Sequence, residues 1–343
     1  MRRTFALTKF VVITSVLLII CSANAQNVEL SPDNREAQNW LKKVQSAAQK
    51  LNFAGTFVYQ QGNQIRTSRI THMLDGKNEV EKLEILDGKP REYVRNNEEI
   101  ICYIPDAKTL VIEKRVTHDV FPAILASNPS DLAEYYRARK AESGRVAGHD
   151  AQVILLEPKD NLRYGYRLWA DKSTGLLLRA QTLNEKDEIV EQITFTQISI
   201  GGIDKNKVKP SVHSTNGWRI ENAVMSQGNV SGWEVKSIPP GFKKIREVKR
   251  IVSDTVNSAP AVGTHSSASS HQREVSQIVF SDGLAAISVF IEPGTQSRTE
   301  GSVQQGAMNI VGKRQGDFWL TIVGEVPYAA IKQVANSIEF KSK

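Results

Sequence analysis

Apolar positions along the chain follow two rhythms, and the switch between them lays out the elements. Trp40, Leu41, Val44, Ala47, Ala48 and Leu51 recur at the spacing of one helical face, which predicts an amphipathic helix over 32–51. From residue 53 the period shortens to two. Runs at 53–60, 64–73, 79–87, 91–95, 98–104 and 109–115 are separated by Gly62-Asn63, Asp75-Gly76, Asp87-Gly88, Asn96-Asn97 and Pro105-Asp106. Short strands joined by such turns predict an antiparallel meander. The rhythm breaks over 120–140, where Phe121, Pro122, Ile124, Leu125, Pro129, Leu132, Tyr135 and Tyr136 predict one or two short helices covering a face of the sheet. Strands resume at 144–148, 151–158 and 188–200.

The densest pattern is 163–179. Tyr164, Tyr166 and Leu168 alternate with Arg163, Arg167 and Trp169, so the two sets point to opposite faces of a strand. Asp171 to Gly175 supplies turn chemistry, and 176–180 returns as a more apolar strand. A hairpin with large side chains on both faces is either packed on both sides or curved around a guest.

Residues 201–216 lose apolar periodicity and carry Gly201-Gly202, several lysines and Pro210, which ends a first domain at 209 and marks 210–217 as a linker. A second, smaller α+β domain over 218–343 follows. It has strands over 233–250, a Ser/Ala/Val/Thr-rich loop over 253–270, hairpins at 274–292 and 306–323, and a terminal helix over 327–338. The first domain is therefore 26–209, and the whole is α+β but mainly antiparallel β.

The first 25 residues change the compartment. Arg2, Arg3 and Lys9, then the apolar run 10–20, then Ala23-Asn24-Ala25 predict a cleaved export signal. Its loss removes three positive charges, so the formal charge falls from +7 to +4. That mild, dispersed excess excludes a nucleic-acid footprint. Cys102 is then the one cysteine left, in a buried-strand pattern, so no internal disulfide forms.

Catalytic chemistry is not legible. The six histidines have no metal-ligand spacing, and neither a nucleophile elbow nor a phosphate-cradling glycine loop occurs. No cofactor is expected. Asp160, Asp171 and Glu185 read as solvated turn carboxylates, and Glu79, Glu81 and Glu84 as a solvated strand face. Arg163, Arg167 and Arg179 either pair with acids on neighbouring strands or hold phosphates at a cavity mouth. Phe57, Tyr59, Ile70, Leu83, Ile85, Tyr93, Ile101 and Tyr103 are either core against the first helix or the lining of an incompletely filled apolar cleft.

Several longer motifs resemble one family. Residues 53–59 (Phe-Ala-Gly-Thr-Phe-Val-Tyr), Arg69-Ile70-Thr71-His72, 86–92 (Leu-Asp-Gly-Lys-Pro-Arg-Glu), 164–169 (Tyr-Gly-Tyr-Arg-Leu-Trp) and 175–179 (Gly-Leu-Leu-Leu-Arg) are similar to the RseB/MucB family. So are 280–285 through 290–293 and 323–327. The resemblance implies a non-enzymatic periplasmic regulator of the envelope-stress sigma factor (sigma-E). Such a protein binds the periplasmic part of a membrane-spanning anti-sigma factor and shields it from the site-1 protease. It implies a first domain built as an unclosed, lipoprotein-carrier-like β-barrel with covering helices, release by lipopolysaccharide or an acylated lipoprotein, and anti-sigma binding by 218–343. A homo-oligomer is compatible with it. On this reading Phe57, Tyr59, Tyr164, Tyr166 and Leu168 line a lipid cleft, with Arg163, Arg167 and Arg179 toward lipid phosphates. The alternative is a periplasmic lipid or lipoprotein carrier, against which the second domain argues.

Overall fold

The computed structural model describes residues 32–114, 132–223, 225–227, 232–253, 272–294 and 298–341. The expected export signal lies outside these, as do the 253–270 loop almost entirely and most of the helical segment expected at 120–140. Among the described residues no helix is long and apolar enough to cross a membrane.

The first domain opens with α1 (Pro32–Lys50). A long meander follows: β1 (Phe53–Gln61), β2 (Gln64–Asp75), β3 (Asn78–Ile85), β4 (Arg91–Asn96), β5 (Glu99–Ile104), β6 (Thr109–Lys114), β7 (Tyr136–Val146), β8 (His149–Pro158), β9 (Gly165–Asp171), β10 (Leu177–Leu183) and β11 (Ile189–Ile200). With β12 (Arg219–Ala223) they form one twelve-stranded sheet, ordered β12-β6-β5-β4-β3-β2-β1-β11-β10-β9-β8-β7. The sheet is unclosed, with β12 and β7 as its free ends. Every pairing is antiparallel except that of β12 with β6.

Two boundaries differ from the sequence expectation. β7 begins at Tyr136, inside the segment expected to be helical, because Tyr136 and Ala138 alternate with exposed Arg137 and Arg139 and bury against α1. Residues 219–223, expected in the second domain, pair with the first sheet. The stretch before them is no free linker: the amide of Ser211 donates to Glu92 at 2.9 Å, and Val208 is buried.

The 163–179 hairpin is packed on both sides. Tyr166, Leu168 and Ala170 face α1, meeting Ala37, Leu41 and Val44. Trp169 on the other face joins Leu178, Val146 and Ala151. Gly175 closes the turn at φ +86°, donating its amide to Asp171 O at 2.8 Å. Lys43 of α1 lies 2.5 Å from where a Cβ at that position would stand, so only glycine lets the helix sit so close.

The second domain carries β13 (Met225–Gln227), β14 (Trp233–Val235), β15 (Lys243–Ser253), β16 (Gln272–Ser281), β17 (Ala286–Pro293), β18 (Gly301–Gln305), β19 (Met308–Gln315), β20 (Phe318–Gly324), α2 (Tyr328–Asn336) and β21 (Ile338–Phe340). Seven strands form a sheet ordered β13-β15-β16-β17-β20-β19-β18, and β14 pairs with β21. Ala330, Ile331 and Val334 of α2 pack on Ile287, Val289, Leu320 and Ile322, all fully buried. This is the α+β arrangement expected there.

Candidate functional site

The groups that chemistry could use gather where the two domains meet. The strand alternation of 163–169 would place Arg163 beside Arg167, but β9 starts only at Gly165, so Arg163 is free to turn into the interface. There it is fully buried. Its Nε donates to Asp282 Oδ2 at 3.1 Å, one terminal nitrogen donates to Asp160, and the other to the carbonyl of Pro240. The guanidinium also stacks over Tyr135, 4.6 Å from the ring centroid, and Phe242, at 5.4 Å. A planar fork with five N–H groups fits such a set of acceptors, which an ammonium could not span. The expectation that Arg163 meets lipid phosphate is thereby corrected: its charge is already met by two carboxylates, one from each domain.

Asp282 uses both oxygens. Oδ1 accepts the amides of Leu284 and Ala285 at 3.0 and 2.9 Å, closing the β16–β17 turn, while Oδ2 takes Arg163 and the Tyr136 hydroxyl at 3.3 Å. Apolar residues cross the same boundary: Leu284 enters the α1 core, and Leu162 packs against the second-domain core. Gly241, at φ +84°, brings the 239–242 loop against the Tyr135 ring, 2.4 Å from a would-be Cβ.

Further along the boundary, Asn309 Nδ2 donates to the Tyr164 hydroxyl at 3.1 Å and to Val326 O at 2.9 Å. Gln61 Nε2 donates to Gln305 O at 2.9 Å, and Arg246 pairs with Glu113 at 3.4 Å. At this end Glu191 of β11 accepts hydrogen bonds from Tyr59 and from the Ala307 amide. Burial, and then the nearby Glu325 carboxylate, push Glu191 up to about 7. Burial raises Glu325 as well.

The cleft candidates are accounted for one by one. Phe57 packs edge-on against Phe195 at 5.8 Å within a core of Ala47, Phe53, Ile70 and Leu176. Tyr59 is half-buried beside Glu191. Tyr164 belongs to the domain boundary, and Tyr166 and Leu168 fill the space beneath α1. Where these candidates lie, the inner face of the sheet is occupied by α1 and the sheet's own side chains. The largest cavity among those described, about 880 Å³, lies instead under the strap 206–213, lined by Ala54, Thr56, Arg69, Thr71 and Lys82. Arg179 stacks over Trp169 at 5.2 Å and donates to Thr194 at 2.9 Å. Arg167 lines a groove of about 500 Å³ with Arg139 and Lys159.

Two carboxylate expectations are corrected. Glu79 and Glu81 are not a solvated face. Register sets Glu81 opposite His72 and Arg95, so Arg95 binds Glu79 and lies 3.7 Å from Glu81. Fully buried His72 stacks on Phe53 and stands 3.3 Å from Glu79. Burial raises Glu81 to about 7, against the pull of Arg95. Asp171 is buried too, its Oδ1 accepting from Ser173 at 2.5 Å and from the Thr174 amide and hydroxyl at 2.7 Å. Sequence reading missed Asp282, Asn309, Glu191 and Glu325. The signal for Asp282 was the Ser-Asp-Gly turn itself, which hides a second use of the same carboxylate. Among the described residues, no cluster of His, Cys, Asp and Glu could hold a metal ion.

Comparison with known proteins covers nearly the whole chain. Residues 36–212 match the MucB/RseB N-terminal domain, and residues 227–339 match the MucB/RseB C-terminal domain. The sigma factor AlgU regulatory protein MucB of Pseudomonas aeruginosa is 31% identical, over 95% of this chain and 96% of that protein. The sigma-E factor regulatory protein RseB of Haemophilus influenzae is 24% identical, over 97% and 98%. The crystal structure of MucB in complex with MucA(peri) aligns with a TM-score of 0.66 at 28% identity, over 90% of this chain and all of that one.

Proposed function

Because this chain belongs to the MucB/RseB family, we propose that it is an exported negative regulator of a sigma-E-type factor. It binds the periplasmic segment of a membrane-spanning anti-sigma factor and shields that segment from the site-1 protease. The observation that carries this reading is the end-to-end likeness, across both domains, to MucB held in complex with MucA(peri). The likeness spans both family domains rather than one, and that matters because the domains here are joined by buried polar contacts. A surface made from both would reach the partner with its two halves tied together at the Arg163 clasp. In this reading the second domain, from β13 onward, carries most of the affinity.

Release by an acylated molecule is the second part of the proposal. The inner face that acyl chains would use is filled by α1, so a lipid must take over the contacts that Leu41, Val44 and Ala47 make with the sheet. Phe57, Tyr59, Tyr166 and Leu168 would then line the opened space, and Arg167 would offer a cation outside it. Two sites of opposed occupancy give a release switch, and their coupling must be reciprocal. In this reading the protein acts by binding rather than by catalysis, in keeping with its likeness to sigma-factor regulatory proteins.

The test is a protection assay. The cognate periplasmic segment is digested by its site-1 protease with and without a saturating amount of this protein. Cleavage is expected to fall at least tenfold, and to recover when a lipid A–type amphiphile is added. Binding without protection would overturn the shielding role, and no binding would overturn the anti-sigma partnership proposed for this chain. Protection that the amphiphile leaves intact would overturn the lipid switch alone.

A further inference from the structure

The Glu191 end of the domain boundary is built unlike the Arg163 end. Glu191 comes from the first domain and Glu325 from the second, just after β20. Neither has a cationic partner among the described residues. One oxygen of Glu191 is buried with no hydrogen-bond partner. The 306–307 turn presses on it: a Cβ at Gly306 would stand 3.0 Å from Val190 O, and the Ala307 amide donates to the Glu191 carboxylate. The other polar groups around the pair are the hydroxyls of Tyr59 on β1, Tyr164 just before β9 and Tyr166 on β9, with the Asn309 amide bound to Tyr164. The cations nearby are Arg66, paired across the strands with Tyr59, and Arg246, engaged with Glu113.

We propose that this contact is a proton-operated latch between the domains. With Glu191 protonated, the like-charge repulsion with Glu325 across the seam is gone and the boundary closes. With Glu191 ionised, two carboxylates of like charge face each other in a desolvated seam and the boundary parts at this end. The Arg163 clasp holds the other end together, so opening is a rotation about that clasp. The latch needs no partner and no lipid.

The sign follows from linkage. In the closed state Glu191 titrates at about 7, whereas parting the domains returns it to water and to the ordinary carboxyl range. The closed state therefore binds more protons, and closure weakens as pH rises. The closed-to-open ratio falls up to about tenfold per pH unit between the ordinary carboxyl range and 7, then levels off. Acidification tightens the two domains.

The experiment measures one cross-domain distance. Spin labels at Asp106→Cys and Lys332→Cys, both exposed and one in each domain, go into the chain with Cys21 and Cys102 replaced by Ser. Pulsed dipolar spectroscopy is run at pH 5 and pH 8. One narrow distance is expected at pH 5, with a second population at pH 8. Glu191→Gln, a neutral mimic of the protonated acid, is expected to give the narrow distance at both pH values. Glu325→Gln serves the same purpose should the first variant fail to fold. An unchanged wild-type distribution would overturn the latch, and so would a pH response that survives in both variants.

Discussion

The two ends of the domain boundary solve the same problem in opposite ways. At Arg163 a fully buried cation meets carboxylates from both domains, a backbone carbonyl and two aromatic faces, and every nitrogen of the guanidinium has an acceptor. At Glu191 a carboxylate from one domain faces a carboxylate from the other, with only hydroxyls and one amide to steady it. A paired buried charge keeps its state across a wide pH range. An unpaired buried acid does not, because burial disfavours its charged form and nothing offsets that cost. The first end joins, and the second responds.

The largest effect is expected from breaking the joining end. Arg163→Ala leaves Asp282 buried without a cation and removes the stacking partner of Tyr135 and Phe242. The expected loss is about 3–5 kcal/mol in urea unfolding. Arg163→Lys is expected to recover little of it, since an ammonium cannot reach three acceptors set apart in one plane. A loss below 1 kcal/mol would mean that the clasp does not hold the domains.

Glu191→Gln sharpens the contrast from the other side, because it should stabilise. The acid titrates near 7 in the folded protein and lower when unfolded. Wild-type stability is therefore fuller at low pH and declines as pH rises toward 7. The variant lacks that decline and is expected to be more stable than wild type at pH 8 by about 1–3 kcal/mol, with no advantage at pH 4. Unfolding curves at the two pH values decide it. Arg163→Ala, in contrast, should cost a similar amount at both.

Smaller effects mark the limits of each end. Tyr136→Phe removes one hydroxyl from Asp282 while keeping the ring against Tyr166, and about 1 kcal/mol is expected. Arg139→Ala breaks an exposed pair with Glu157 at the sheet edge and should change stability by less than about 0.5 kcal/mol. A large effect of Arg139→Ala would mean that charge number, rather than burial, governs these contacts.

Elements with strong local patterning were legible in the sequence. Five of the six apolar positions read as one helix face fall in α1, and the alternation of 164–169 and the α2 face of Ala330, Ile331 and Val334 also reappear, because each pattern is fixed by what it packs against. β18 was not legible, since Gly301–Gln305 is exposed throughout and so carries no alternation. β12 was hidden for a related reason: a five-residue edge strand pairing in parallel with β6 has no turn to announce it. The start of β7 was obscured by tyrosines that suit a helix as well as a strand. The domain boundary was the least visible part. Arg163 and Asp282 are 119 positions apart, and nothing local to either says that the other will neutralise it. Glu81 shows the same limit at shorter range, where register rather than composition turned a charged strand inward.

The measurement that tests the account most directly is a calorimetric titration of the intact chain with the periplasmic segment of its cognate anti-sigma factor. Saturable binding in the micromolar range or tighter is expected, weakened when Arg163→Ala frees the domains from each other. An intact, folded chain that gives no binding signal would contradict the central claim.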